Sequence, residues 1–306
     1  MASRGSKKVI YAAIVANVAI GGCKFVAAAL TGSSAMMAEA VHSTADTGNE
    51  LLLLWGMKRS GRPADSLHPY GHGKALYFYS LLVAVYIFAF GGGLTIYEGI
   101  SRLRHPALPE NPAWNYGVLA IAFLFELYSA QVSYRELTRQ KDPDESVFDE
   151  IIGSKDPTIF TVFLEDAVGL IGTVLAFFGI FLGEMFHNSY FDPAASILIG
   201  LLLASEAVLL GRETGALLVG ERTNRAKISR VRKIITEDPA VERIGELLTM
   251  QLGPQQALLT TKIKFRRPLS LQQLESAILR IKERIRQQEP TMERIFIEAD
   301  PTSEKR

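Results

Sequence analysis

Six long apolar segments, at about 9–30, 34–57, 75–100, 113–135, 158–182 and 192–211, constrain this chain more than any other feature. A helix rises about 1.5 Å per residue and must cross roughly 30 Å of hydrocarbon, so about 20 apolar residues suffice for one crossing. The fold class that follows is a multi-span α-helical membrane protein with six transmembrane helices. The second segment is the least apolar, because Glu39, His42, Asp46, Asn49 and Glu50 interrupt it. Its start is marked by Thr31-Gly32-Ser33-Ser34, which stops one helix and offers caps for the next. Asp192-Pro193 reads as a cap followed by a first-turn proline for the sixth.

The basic N-terminus, with Arg4, Lys7 and Lys8 before Val9, has the form of a signal-peptide start. The apolar run continues to Leu30 and five similar segments follow, so the reading preferred is a first span. Lysine and arginine in the short loops set the orientation. The N-terminus, the second loop (Lys58, Arg59, Arg62, Lys74) and the fourth (Arg139, Lys141, Lys155, with Arg135 at its edge) are basic. The first and fifth loops carry no such residue, and the third only Arg102 and Arg104. Both termini are therefore expected on the cytoplasmic side, or on the equivalent side of an organelle.

The 48% hydrophobic fraction hides a split, since the long apolar runs end near Arg212 and the remainder is rich in Arg, Glu, Gln and Lys. Two domains follow: residues 1–212 in the membrane and 213–306 outside it. Alternation in Leu258-Leu259-Thr260-Thr261-Lys262-Ile263-Lys264-Phe265 marks a strand, and Leu271, Leu274, Ile278, Ile281 and Ile285 mark a helix face. The pattern predicts a helix at 224–237, strands at 241–251 and 256–266, a helix at 270–288 and a strand at 291–298. This αββαβ order suggests a two-layer α/β domain, near the size at which dimerisation helps a core. A net charge of +1 gives no reason to expect nucleic acid as a partner. Cys23 is the one cysteine, which excludes an intrachain disulfide and a thiolate metal cluster.

Charge in the apolar layer costs about 2.5–3.5 kcal/mol per group on insertion scales, so such residues usually face the bundle interior and mark a pathway. His42 and Asp46 stand four apart on one helix face, a chelating geometry. Glu165-Asp166, inside the fifth segment, can supply a further ligand to a tetrahedral divalent site. Nitrogen and oxygen donors without sulfur suit zinc, and also cobalt, iron or manganese. For Glu39 and Glu50, near the ends of their segment, hydrogen bonding between helices is the competing explanation. Glu98, Glu126 and Glu206 are isolated in their segments and are read as polar packing or as stations for ions or protons. Asp65, His68 and His72 form a second cluster in the loop Pro63-Ala64-Asp65-Ser66-Leu67-His68-Pro69-Tyr70-Gly71-His72-Gly73-Lys74. These are metal ligands or solvated surface groups. The triple glycine Gly91-Gly92-Gly93 suits close helix packing or bending.

With His42-Ser43-Thr44-Ala45-Asp46 followed by His68-Pro69-Tyr70-Gly71-His72-Gly73-Lys74, the sequence resembles the cation diffusion facilitator family of zinc and related metal transporters. The resemblance covers nearly the whole chain and is nearest to the branch containing human zinc transporter 9, through Phe163-Leu164-Glu165-Asp166 and Leu210-Gly211-Arg212-Glu213. It implies six spans, cytoplasmic termini and a C-terminal ferredoxin-like domain that forms a homodimer. By motif, His42, Asp46 and Asp166 fall on ligands of the family's transport site. The family's further ligand, four residues before that aspartate, is Val162 here, and a hydrocarbon cannot ligate. Glu165, Asn49 or water is the expected substitute. Asp65, His68 and His72 match a loop site of some bacterial members. No histidine follows His187, so zinc sensing by the soluble domain is not expected.

The functional expectation is a secondary antiporter rather than an enzyme, carrying a divalent cation, zinc foremost, away from the cytoplasm by efflux through the intramembrane His/Asp site, with no prosthetic cofactor. Protons are the expected counter-substrate, because histidine and carboxylate bind either metal or proton. Alternatives are a manganese, iron or cobalt exporter, and a membrane metal sensor or scaffold without transport. No G-x-x-x-x-G-K-[ST] pattern suggests nucleotide-driven pumping. The expected location is the bacterial inner membrane, or an organellar membrane in a eukaryote.

Overall fold

The computed structural model describes residues 4–140 and 155–300. Lys141, counted above among the basic loop residues, lies outside them, as do the side chains of Arg4, Lys7 and Lys8. The chain divides into two compact units.

The first unit is helical. It contains α1 (Arg4–Thr31), α2 (Ser34–Ser60), α3 (Ala75–Tyr86), a π-helical segment (Ile87–Gly93), α4 (Leu94–Arg104), α5 (Ala113–Gln140), α6 (Pro157–Met185) and most of α7 (Phe191–Val219). Four rods are long and apolar enough to cross a membrane: Ala75–Arg104, Ala113–Arg139, Phe160–Met185 and Phe191–Val219. The first of them joins α3, the π-helical segment and α4 end to end. This is a multi-span helical membrane protein. In α1 the apolar stretch Asn17–Thr31 is shorter, and α2 is diluted by its acidic and polar residues.

Helix α2 packs against α1, α3 and α6, so it is enclosed on several sides. That enclosure explains how Glu39, His42, Asn49 and Glu50 come to be buried on an element too polar to face lipid. The start of α2 is capped as its sequence suggests, Ser33 accepting a hydrogen bond from Met36 N at 3.1 Å. Asp192 differs from expectation. Its helix begins at Phe191, and the Asp192 carboxylate instead accepts from Ser34 N and Ser34 Oγ of α2, each at 2.7 Å, and from Ser33 Oγ. An anion at the positive end of α2 satisfies that helix's exposed amides and anchors α7 to it.

The triple glycine lies in the π-helical segment. Here the rod from Ala75 to Arg104 lies against α7 with little room between backbones, because a β-carbon at Gly200 would stand 2.7 Å from Ile96 Cγ1 and 2.8 Å from Ile96 N.

The second unit takes in 62–74 and the chain from Ala216 onward. The change of unit falls at Gly215–Ala216, inside α7. It contains α8 (Arg225–Thr236), β1 (Val241–Gly253), β2 (Gln256–Phe265), α9 (Leu271–Gln288) and β3 (Arg294–Ala299). This αββαβ order matches the sequence pattern within a few residues at each end. Central β2 pairs antiparallel with β1 and parallel with β3. A parallel neighbour requires a crossover, which α9 provides. Val231, Ile234 and Ile235 of α8 and Ala277, Ile281 and Ile285 of α9 close a core over Leu259, Ile263 and Ile295. A capping box at Ser270 and Gln273 fixes the start of α9.

Candidate metal site

In the first unit α2 and α6 supply the side chains singled out by sequence. His42 is 2% exposed, and its Nδ1 lies 3.4 Å from Asp46 Oδ1, one turn further along α2. The (i, i+4) spacing stacks imidazole over carboxylate. Asp166, on α6, accepts a hydrogen bond from Ser133 Oγ of α5 at 2.8 Å. Its neighbour Glu165 is buried and accepts from Asn49 Nδ2 of α2 at 2.8 Å. The two residues proposed to substitute for Val162 are therefore bonded to each other. Asn49 Oδ1 has no hydrogen-bond partner among the described residues.

His42, Asp46, Glu50, Glu126, Glu165 and Asp166 all line one cavity of about 340 Å³. It combines one imidazole with five carboxyl groups, a composition that selects positively charged guests. Their donor atoms do not close into a tight cluster. Among the described residues, the set of three ligand side chains with atoms all within 4.8 Å of one another is Asp65, His68 and His72. The cavity is thus wider than a closed tetrahedral metal centre.

Sequence reasoning did not single out Lys24, which is fully buried in α1 and bonds Glu39 at 2.8 Å and Glu126 at 2.9 Å. A lysine six residues before Leu30, the end of an apolar run, was the available signal. Of the three isolated glutamates, Glu98 pairs with Arg102 on its own helix at 2.9 Å. Glu206 is 4% exposed, and both of its carboxylate oxygens lack a hydrogen-bond partner among the described residues. It lies in electrostatic reach of Asp46 and Glu165.

The second cluster belongs to the other unit. Asp65 Oδ1 accepts from Leu67 N at 3.0 Å and His68 N at 2.7 Å, a local turn that fixes the carboxylate. His68 Nδ1 lies 3.2 Å from Oδ1, and His72 Nε2 lies 3.0 Å from Oδ2. The hydrogen bond from His72, with those from the His68 and Leu67 amides, holds the Asp65 carboxyl down to about 2. Three preorganised donors of this kind are consistent with a divalent metal site. The loop is pinned at its middle, where Arg294 donates to Pro69 O at 3.0 Å and sits 5.0 Å from the Tyr70 ring centre. Gly73 admits no side chain, since a β-carbon there would be 2.4 Å from Leu252 O.

Residues 10–219 match the sequence profile of the cation efflux transmembrane domain. A mitochondrial proton-coupled zinc antiporter of Xenopus laevis, SLC30A9, is 31% identical over 87% of this chain and 48% of its own length. Metal tolerance protein C4 of Arabidopsis thaliana is 30% identical over 85% of this chain and 57% of its own. The manganese efflux system protein MneP of Bacillus subtilis is 22% identical over 98% of this chain and 97% of its own. The chain spans about half the length of the frog protein.

Proposed function

The chain belongs to the cation efflux family, also called the cation diffusion facilitators, and from that premise we propose that it is a secondary carrier exchanging a divalent cation for protons. The observation that carries the reading is the single cavity on which His42, Asp46, Glu165 and Asp166 converge from two helices. In the proposed cycle the cation enters the cavity from one side of the membrane and binds His42, Asp46 and Asp166. Glu165 completes the ligand set, oriented by Asn49. After the bundle reopens on the other side, protons replace the metal on the same groups, so release is coupled to proton entry. The loop cluster Asp65, His68 and His72 holds a second ion in this reading.

Six membrane crossings, with α1 and α2 as the first two, and cytoplasmic termini belong to the same proposal. So do a ferredoxin-like fold for the second unit, a division into 1–212 and 213–306, and a homodimer. The basic loops and the αββαβ order support them. Zinc is the proposed substrate, in line with the name of the frog relative. Manganese is the second reading, favoured by a cavity that offers one imidazole against five carboxyl groups, because harder ions prefer oxygen. The name of the Bacillus relative points the same way.

Uptake by proteoliposomes across a panel of divalent metals, with and without a pH gradient, tests the proposal. Metal uptake that rises with an opposing proton gradient is expected for the wild type, and none for Asp46→Ala or Asp166→Ala. Metal binding without any metal-dependent proton flux would leave a sensor or scaffold as the better description.

A further inference from the structure

Lys24, Glu39, Glu126 and Thr173 form a buried cluster contributed by α1, α2, α5 and α6. The Lys24 ammonium lies 2.8 Å from Glu39 Oε2 and 2.9 Å from Glu126 Oε1. The Thr173 hydroxyl donates to Glu126 Oε2 at 2.7 Å and lies 3.1 Å from Glu39 Oε2. The Lys24 and Glu39 side chains are 0% exposed, whereas Glu126 is 16% exposed and opens onto the cavity of His42 and Asp166. One carboxylate therefore belongs to two places at once: it holds the protein's own cation and it faces the path of the transported one.

Gly169, on α6, shows how near the two places are. A β-carbon there would meet His42 Nε2 at 3.2 Å and Glu126 Cδ at 3.3 Å, so the imidazole and the carboxylate both come within contact of one point. Donors that share one metal ion stand about 3 to 4 Å apart, given bonds near 2 Å. The missing side chain at Gly169 leaves that space open.

A buried ion pair is a weak device for stability, since desolvation consumes most of the attraction. This cluster is also imperfect as an anchor, because Glu39 Oε1, buried beside Gly172, has no hydrogen-bond partner among the described residues. An ammonium on a flexible stem is, however, well suited to give way to a stronger cation. Resting on the reading of the cavity as a cation path, we propose that Glu126 is a further ligand of the transported ion and that Lys24 is a tethered competitor for its carboxylate. The competition weakens metal binding and thereby speeds release.

The test is calorimetric titration of the purified full-length protein with Zn2+ alone and Mn2+ alone, paired with liposome uptake. Glu126→Gln is expected to weaken binding about tenfold or more, the scale of one lost charge-assisted contact. Lys24→Met is expected to tighten binding about tenfold and to lower the maximal uptake rate, whereas Lys24→Arg stays near wild type. A purely structural lysine would not tighten binding when removed. Wild-type affinity in Glu126→Gln, or unchanged or weaker binding in Lys24→Met, overturns the proposal. Should Lys24→Met fail to fold, Glu126→Gln remains decisive, and Lys24→Met/Glu126→Gln, which removes one charge of each sign, must then bind like Glu126→Gln alone. A difference between those two overturns the competition through Glu126. Asp46→Ala separates the two levels of inference: loss of uptake there with wild-type affinity in Glu126→Gln sinks the present proposal alone, and wild-type uptake in Asp46→Ala sinks the reading beneath it.

Discussion

Asn49 gives Glu165 a hydrogen bond from its amide nitrogen, so one carboxylate oxygen is fixed at 2.8 Å while the side chain still lines the cavity. This arrangement suits a ligand oriented by a neighbour, and it bears on the substitution of Val162. Glu165→Gln is expected to weaken metal binding about tenfold, by loss of a charged donor, and to change the pH profile of uptake. Asp166→Asn is expected to abolish uptake. Calorimetry and transport of both variants at several pH values decide, and unchanged affinity and pH profile in Glu165→Gln would remove it from the site. Asn49→Ala should show a smaller defect than Glu165→Gln, since it removes only the orienting group. At this scale His42, Asp46 and Asp166 were legible because a charge or imidazole in an apolar run stands out without any knowledge of the fold. Lys24 was not, because what gives it meaning is Glu126, 102 residues away on another helix. Asn49 and Glu165 were each named as substitutes, but that they bond each other depends on how α2 and α6 pack.

Helix ends carry the larger part of what sequence could and could not place among the elements. Ser33 was legible as a cap because its partner is the amide of Met36, three residues on. Asp192 was read as a cap for its own helix, whereas its partners are Ser33 and Ser34 of α2, about 158 residues away, and only the packed bundle brings them together. Asp192→Ala leaves buried hydroxyl and amide donors unpaired, and the expected loss is about 3 kcal/mol or more. Thermal unfolding in detergent should show a lowered midpoint, with faster hydrogen exchange at the start of α2. An unchanged midpoint would mean that water replaces the carboxylate at no cost. In the second unit Asp238, just beyond α8, receives two hydrogen bonds at 2.8 Å from Arg280 of α9. The Arg280 guanidinium holds the Asp238 carboxyl below the usual carboxylate range. A depressed folded-state value means that the stabilisation is complete above the unfolded value near pH 4 and is lost as pH falls through the folded one. Asp238→Asn should therefore lower stability at pH 7 by about 1 kcal/mol, Arg280 being partly exposed, and flatten the acid side of the profile. Denaturant unfolding between pH 7 and 2 measures both effects.

For the whole molecule, the division into a helical unit and an α/β unit was legible from the point where long apolar runs stop, and the αββαβ order from alternation. The assignment of 62–74 to the second unit was not, because Arg294 reaches Pro69 across 225 positions of sequence. That unit has a core of its own, in which α8 and α9 cover one face of the sheet. The rest of its sheet surface holds large apolar groups in the open, with Leu248 54% and Phe296 52% exposed. Glu246, Lys262 and Glu298 stand in the same shallow depression. A small three-stranded sheet gains from covering such groups, and a second copy of the same face is the symmetric way to do so. A fragment from Ala216 to Arg306 is therefore expected to fold on its own and to sediment as a dimer. Its sequence contains neither histidine nor cysteine, and carboxylates alone make weaker zinc sites than mixed ones, so no stoichiometric zinc should survive dialysis. Leu248→Lys or Phe296→Lys on the open face should shift the fragment toward monomer while leaving the core under α8 and α9 intact. Light scattering gives the mass, circular dichroism the fold and elemental analysis the metal. A monomeric wild-type fragment would place the contact between copies elsewhere in the chain, and one tightly held zinc per fragment would require a ligand set that its side chains do not supply.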